Sequence, residues 1–147
     1  MVIASSVFEN NGMIAPKYTC DGDNVNPPLD FSEIPDGAKT LVLIMDDPDA
    51  PGETWVHWLV WNISPNTVEI GENTVPEGAV AGVTSFGKAG YGGPCPPSGT
   101  HRYFFKLYAL DIELDLPGDA DKTELEEAME GRVIEKAELL GLYSREK

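Results

Sequence analysis

Runs of apolar residues separated by short polar turns dominate this chain. An almost unbroken apolar run covers Lys39 to Met45 and is short and β-rich enough to be a strand buried on both faces. Further strands are predicted from Trp55 to Ile63 and from His101 to Leu110. The shorter candidates are Ile3 to Phe8, Val68 to Ile70, Ala79 to Ala81 and Val83 to Phe86. Many short strands at close spacing favour a mainly β fold, namely an antiparallel β-sandwich with Greek-key-like connections.

Side chains alternate between the two faces of a strand, so residue parity assigns a face to each of them. In the strand that starts at Trp55, parity places His57 on one face together with three apolar residues, Leu59, Trp61 and Ile63. In the strand that starts at His101, it places Tyr103 beside His101, about 6 to 7 Å farther along.

Helix is predicted only near the end of the chain. Thr123 and Glu126 match a Thr-x-x-Glu capping box, and acidic residues crowd the expected first turn. Apolar residues then recur at three- and four-residue spacings, at Leu125, Ala128, Met129, Val133, Ala137 and Leu140. A C-terminal helical segment packed on the sheet is therefore expected, divided near Gly131 and ended at Gly141.

Length and charge narrow the class of protein. The chain has 147 residues with no repeat or linker, so residues 1–147 are expected to form a single domain. It carries 25 acidic against 10 basic residues, a net charge of −15, which disfavours nucleic-acid binding. Neither an apolar run of about 18 residues nor a signal peptide is visible, so we expect no membrane span and a cytoplasmic location.

Two cysteines, Cys20 and Cys95, lie far apart in the sequence and show no zinc-like spacing. In a reducing cytosol two free thiols are the expected state, because disulfides are rare there. A single bridge between them stays open as the alternative.

The two histidines of the chain, His57 and His101, each follow a turn rich in proline or glycine and stand at or near the start of a predicted strand. We expect both to reach one polar pocket on the sheet. The turn from Tyr91 to Gly99 is stiffened by three prolines, and its remaining amides can present a concave anion-binding nest.

Two other chemistries use the same residues. Asp47, His57 and His101 could form a two-histidine, one-carboxylate metal triad, or Asp47 could simply cap a turn and orient a histidine. Cys95 near His101 is a candidate nucleophile, but no third group to orient a base is specified. No cofactor, metal or catalytic residue is assigned, and a noncatalytic protein is expected.

Five motifs together resemble the phosphatidylethanolamine-binding protein family, also called the Raf kinase inhibitor protein family, in its short bacterial and archaeal form. They are Asp47-Pro48-Asp49-Ala50-Pro51, Trp55-x-His57, Tyr91-x-Gly93, Pro96-Pro97 and Gly99-Thr100-His101-Arg102-Tyr103. The resemblance implies a ligand pocket formed by Asp47, His57, Gly93, the backbone at Cys95, His101 and Tyr103. The predicted rim comprises Asp49, Pro51, Trp55, Tyr91 and Pro96.

The resemblance also implies a function. We expect a protein that binds a small anion, such as phosphate or phosphoethanolamine, and modulates partner proteins. The alternatives are an inhibitor of a serine protease or a kinase, and a metal-dependent enzyme that uses Asp47, His57 and His101. Similarity to the short members of the family also implies a homodimer.

Overall fold

The structure, a computed structural model, describes residues 1–145, which form nine strands, one α-helix and one 3-10 turn. In chain order these are β1 (Val2–Ala4), β2 (Gly12–Met13), the 3-10 turn (Pro16–Tyr18), β3 (Leu29–Ser32), β4 (Thr40–Asp47), β5 (Trp55–Ile63), β6 (Glu69–Ile70), β7 (Val80–Ala81), β8 (Thr100–Leu110), α1 (Lys122–Met129) and β9 (Val133–Ser144). No helix within these residues has the length and apolar content of a membrane span.

The strands form two sheets. The larger has six strands in the order β2-β9-β8-β4-β5-β7, and the smaller has three in the order β1-β3-β6. The pairs are antiparallel except β2 with β9, which is parallel. The prediction of a mainly β fold is therefore confirmed.

The three long predicted strands are present close to their predicted bounds. Every residue of β4 is buried, as its apolar run predicts, because β5 and β8 flank it and both its faces are covered. Of the four shorter predicted strands, Val68 to Ile70 and Ala79 to Ala81 are present one residue shorter as β6 and β7, and the other two were only partly correct. The first strand is shorter and starts one residue earlier, at Val2, and the segment from Val83 to Phe86 makes a single β-bridge between Val83 and Ala89.

Two clusters of buried apolar side chains hold the two sheets and the helix together. The first draws side chains from both sheets, including Phe31 of the small sheet and Leu43 and Phe105 of the large one. The second lies on the opposite face of the large sheet, where Leu125 and Met129 of α1 pack over β4 and β5.

The helix is shorter than predicted, and it starts at a different cap. Asp121, not Thr123, is the N-cap: its carboxylate accepts a hydrogen bond from the Glu124 amide at 3.0 Å, and the Glu124 carboxylate accepts one from the Asp121 amide at 3.1 Å. Thr123 therefore lies inside the first turn. The helix ends at Met129, and Gly131, with a φ of 78°, turns the chain back towards the sheet.

The prediction of helix beyond Gly131 was wrong, because residues 133–144 form strand β9 along the whole length of β8. Alternating residues of its second half, Leu139, Gly141 and Tyr143, are buried, which is the period of a strand. Gly141 does not end a helix. It allows the close approach of Ile14, whose side chain would lie 2.7 Å from an added Cβ.

The parity prediction was right for β8 and wrong for β5. Tyr103 and the alternate residues after it join the first cluster together. In β5, Leu59 and Trp61 lie in the second cluster but Ile63 lies in the first, because one of the two register shifts in the pairing with β4 falls between Val60 and Ile63. Asn62, with a φ of 57°, lies at one of these irregularities. Each β-bulge reverses the alternation of the residues beyond it.

Candidate functional site

The residues that the sequence predicted to meet lie at one edge of the large sheet. Both neighbours of β4 run antiparallel to it, so the end of β4 lies beside the starts of β5 and β8. This brings Asp47, at the end of β4, together with His57 and His101, near the starts of the other two strands. All three side chains are buried.

A cavity of about 270 Å³ lies at this edge. It is lined by Asp47, Ala50, Pro51, Trp55, His57, Phe86, Cys95, Pro96, Pro97, His101 and Tyr103. Of the predicted pocket and rim residues, eight are in this lining and three, Asp49, Tyr91 and Gly93, are not. Polar groups line one part of the cavity, and aromatic and proline side chains line the rest.

His101 is fixed by Asp47. Its Nδ1 donates a hydrogen bond to Oδ2 of Asp47 at 2.7 Å, and Oδ1 of Asp47 accepts one from the Asp49 amide at 2.8 Å. Asp47 therefore caps the turn after β4 and also orients a histidine. Because a carboxylate can only accept, Nδ1 of His101 carries the hydrogen and Nε2 is the ring nitrogen left for a ligand.

His57 is fixed in the same way by the backbone. Its Nδ1 donates to the Gly92 carbonyl at 2.6 Å, and the His57 carbonyl accepts from the Gly92 amide at 2.9 Å. Burial lowers the pKa of His57, against the opposite effect of that hydrogen bond and of the Asp47 carboxylate. His57 is therefore neutral at neutral pH, with Nε2 left for a ligand.

Tyr103 lies next to both imidazoles. Its ring centroid is 5.3 Å from that of His57 and 6.4 Å from that of His101. Its hydroxyl is buried and has no hydrogen-bond partner within residues 1–145. The Asp47 carboxylate is near this hydroxyl, but no hydrogen bond of normal geometry joins them. Burial and the negative charge of Asp47 raise the pKa of Tyr103, so the hydroxyl keeps its hydrogen and can donate it. Buried hydroxyls normally have a partner, and this one belongs to a residue of the cavity lining.

Three predicted residues lie outside the cavity lining and form hydrogen bonds with neighbouring segments of the chain. The Gly93 amide donates to Oδ1 of Asn24 at 2.8 Å, so it is not available to an anion as predicted. The Tyr91 hydroxyl donates to the Tyr18 carbonyl at 2.8 Å, next to a different cavity. The Asp49 carboxylate accepts two hydrogen bonds from the Arg102 side chain, which ties the turn after β4 to β8.

The two cysteines form a disulfide, so the expectation of free thiols was wrong. Cys20 follows the 3-10 turn and Cys95 lines the cavity, and their Cα atoms lie 5.5 Å apart. Sequence spacing could not show this proximity, which arises because the Gly93 and Pro94 segment packs against residues 18–20. A bridged Cys95 has no thiolate, which removes it as a nucleophile in this form.

The structure does not support a metal site formed by Asp47, His57 and His101. Within residues 1–145 no group of three or more His, Cys, Asp or Glu side chains is arranged to hold a metal ion. Both oxygens of Asp47 already accept hydrogen bonds.

Sequence reasoning missed three lining residues, Ala50, Phe86 and Pro97. Ala50 and Pro97 adjoin the predicted rim residues Pro51 and Pro96, so the motifs themselves could have indicated them. Phe86 lies far away in sequence and reaches the site by packing against Trp55 and His57, with ring centroids 5.5 and 5.4 Å away.

Comparison with known proteins identifies the family to which the chain is similar. The family model described as phosphatidylethanolamine-binding protein matches residues 4–144. A UPF0098 protein of Methanothermobacter thermautotrophicus is 49% identical over 150 residues, covering 99% of each chain. The UPF0098 protein PH1269 of Pyrococcus horikoshii is 51% identical over 150 residues, covering 96% of this chain and 75% of the relative.

Solved structures agree with this assignment. The phosphatidylethanolamine-binding protein homolog CT736 of Chlamydia trachomatis has a TM-score of 0.95 and 41% identity, covering 99% of this chain and 97% of that one. E. coli YbcL, described as a member of the mammalian PEBP family, has a TM-score of 0.92 and 30% identity, covering 98% of each chain. The chain therefore belongs to the phosphatidylethanolamine-binding protein family.

Proposed function

We propose that this chain is a noncatalytic protein that binds a small oxyanion, inorganic phosphate or a phosphorylated headgroup, in the cavity between His57 and His101. The observation that carries the proposal is that Tyr103 belongs to the cavity lining while its buried hydroxyl lacks a partner within residues 1–145. A bound oxyanion oxygen would accept its hydrogen. His57 and His101, whose rings lie next to that of Tyr103, each have Nε2 left to make a further polar contact.

The size and walls of the cavity support a small ligand with a limited apolar part. Its volume of about 270 Å³ is just below the roughly 300–1,000 Å³ of typical small-molecule sites. Trp55, Phe86 and the prolines 51, 96 and 97 give it apolar walls. A phosphate ester could place its charged group against the histidines and its organic group against these walls.

The rim supports a role in protein contacts. Residues 51–54 between β4 and β5 are exposed, while Asp49 in the same turn is held by Arg102. An exposed loop anchored next to the ligand can present a surface that depends on what the cavity holds. We therefore propose that ligand occupancy modulates the binding of a partner protein.

The charge of the site gives the proposal a pH dependence. The lining includes one carboxylate, Asp47, and no lysine or arginine. A phosphate dianion would be repelled, whereas added protons on the ligand or on an imidazole reduce the repulsion. We expect phosphate affinity to rise on the order of tenfold as the pH falls from about 8 to about 6, because the phosphate dianion takes up a proton over this range.

Isothermal titration calorimetry with inorganic phosphate at several pH values measures this dependence, with His101→Ala as the variant. The variant should bind more weakly and respond less to pH, because one of the ligand-facing nitrogens is gone. Equal affinity of wild type and variant at every pH would contradict the proposal.

A further inference from the structure

The hydrogen bonds of the two imidazoles fix which groups can donate to a ligand. Each histidine donates its Nδ1 hydrogen to an acceptor within the protein. His57 donates to the Gly92 carbonyl and His101 to the Asp47 carboxylate. A neutral imidazole with hydrogen on Nδ1 has only a lone pair on Nε2. Each Nε2 is therefore an acceptor unless the ring gains a proton.

For His57 the surroundings oppose that extra proton. Its side chain is buried against the rings of Phe86 and Tyr103, and burial lowers its pKa. The charged and titratable groups around it are Asp46 and Asp47 of β4 and Tyr103 of β8, with His101 beyond Tyr103. The two carboxylates favour protonation of His57, but burial is the larger effect.

The cavity thus offers an anion an unusual mixture of groups. The Tyr103 hydroxyl is a donor, Nε2 of His57 is an acceptor, and Asp47 adds a negative charge without any lysine or arginine in the lining. An oxyanion without a hydroxyl group has no hydrogen to donate to Nε2 of His57. The lone pair of that nitrogen would then face a lone pair of an anion oxygen, which is repulsive. An oxyanion that carries a hydroxyl could donate to that nitrogen and accept from Tyr103.

We propose, on the basis of the function proposed above, that the cavity selects oxyanions that carry a proton of their own. Monoprotonated phosphate esters and the phosphate monoanion satisfy this condition. Sulfate has the same tetrahedral shape but carries no hydrogen near neutral pH, so it leaves a buried acceptor unpaired. Discrimination of this kind is strong because a buried polar group without a partner is costly.

The test is a calorimetric comparison of inorganic phosphate with inorganic sulfate at about pH 6 and matched ionic strength. We expect sulfate to bind at least about tenfold more weakly, the effect of one unpaired buried group. Affinities within about threefold of each other, far below that one-group effect, would overturn the selectivity and leave anion binding intact. If neither ion binds, both this inference and the proposed function are wrong.

A second measurement on the wild-type protein counts the protons taken up when phosphate binds. Phosphate titrations at about pH 8, where phosphate is mostly a dianion, are repeated in buffers of different ionisation enthalpy. Uptake of close to one proton per bound phosphate is expected, and no uptake would overturn the inference.

A variant then tests the acceptor itself. In His57→Gln the side-chain amide can turn its NH₂ group towards the ligand, so sulfate should gain affinity and the phosphate-to-sulfate ratio should fall towards one. Tyr91→Phe, outside the cavity lining, is the control and should keep the wild-type ratio. An unchanged ratio in a folded His57→Gln protein would contradict the assignment of His57 as the selecting acceptor.

Discussion

Replacement of Tyr103 by phenylalanine is expected to weaken phosphate binding by about tenfold to a hundredfold, since a hydrogen bond to a charged group contributes about 1.5–3 kcal/mol. The same change should not lower the free energy of unfolding. The hydroxyl is buried without a partner in the described chain, and removal of such a group can raise stability by up to about 1 kcal/mol. Weaker phosphate binding with an unchanged or higher free energy of unfolding would show that the hydroxyl contacts the ligand and does not stabilise the fold.

Tyr91→Phe is the matched control, because it removes the same atom from a partly buried side chain outside the cavity lining. Its hydroxyl donates to the Tyr18 carbonyl at 2.8 Å, so the variant should lose about 1 kcal/mol of stability and keep its phosphate affinity. Calorimetry and urea denaturation of both variants measure the two quantities. A Tyr103→Phe protein with lower stability and wild-type affinity would show that the hydroxyl serves the fold.

Removal of the disulfide, by the double change Cys20→Ser and Cys95→Ser, is expected to cost stability and affinity together. The bridge joins residues 75 apart, and closure of such a loop in the unfolded chain corresponds to about 4 kcal/mol. Residues 95–99 make no hydrogen bond within the described chain. The bridge to Cys20 is therefore the main link that holds this segment of the cavity wall to the rest of the fold. Loss of this ordered wall should weaken phosphate binding roughly three- to tenfold.

Urea denaturation and phosphate titration, each with and without a dithiol reductant, measure these effects. Reductant should lower the stability and affinity of the wild type towards those of the double variant and should leave the double variant unchanged. If stability falls and affinity does not, Pro96 and Pro97 are held in place by packing alone, and the bridge does not shape the site.

The sequence predicted which residues meet at this edge of the large sheet, because they are concentrated in a few rigid turns. His57 and His101 each stand two or fewer residues into a strand, and the antiparallel pairing with β4 brings them together. The alternation of β8 also placed Tyr103 beside His101, and the ring centroids lie 6.4 Å apart. In these segments, local pattern and tertiary structure agree.

Elsewhere tertiary contacts decided the outcome. Residues 133–140 carry apolar residues at helical spacing, but β8 offers an eleven-residue strand edge, and β9 pairs along all of it. The Cys20–Cys95 bridge depends on the packing of two loops that are remote in sequence. The bulges of β5 reversed the expected faces, and neither a period of two nor one of 3.6 residues can reveal such a shift.

Gly93 and Tyr91 show a further limit of motif reasoning. Both belong to a motif of the family, yet a Cβ added to Gly93 would lie 2.3 Å from the Tyr18 carbonyl oxygen, and Tyr91 hydrogen-bonds to that same carbonyl. Gly93 packs the Pro-rich segment against the 3-10 turn, and Tyr91 contacts the same turn from outside the cavity lining. A motif therefore identifies residues that build a site without separating those that contact the ligand from those that support it.

A crystal structure of the protein grown with inorganic phosphate tests the central claim most directly. We predict a tetrahedral anion in the cavity, with one oxygen within about 2.5–3.0 Å of the Tyr103 hydroxyl and others within about 3.2 Å of Nε2 of His57 and His101. A cavity that holds only water at saturating phosphate, or an anion bound elsewhere on the molecule, would contradict the account.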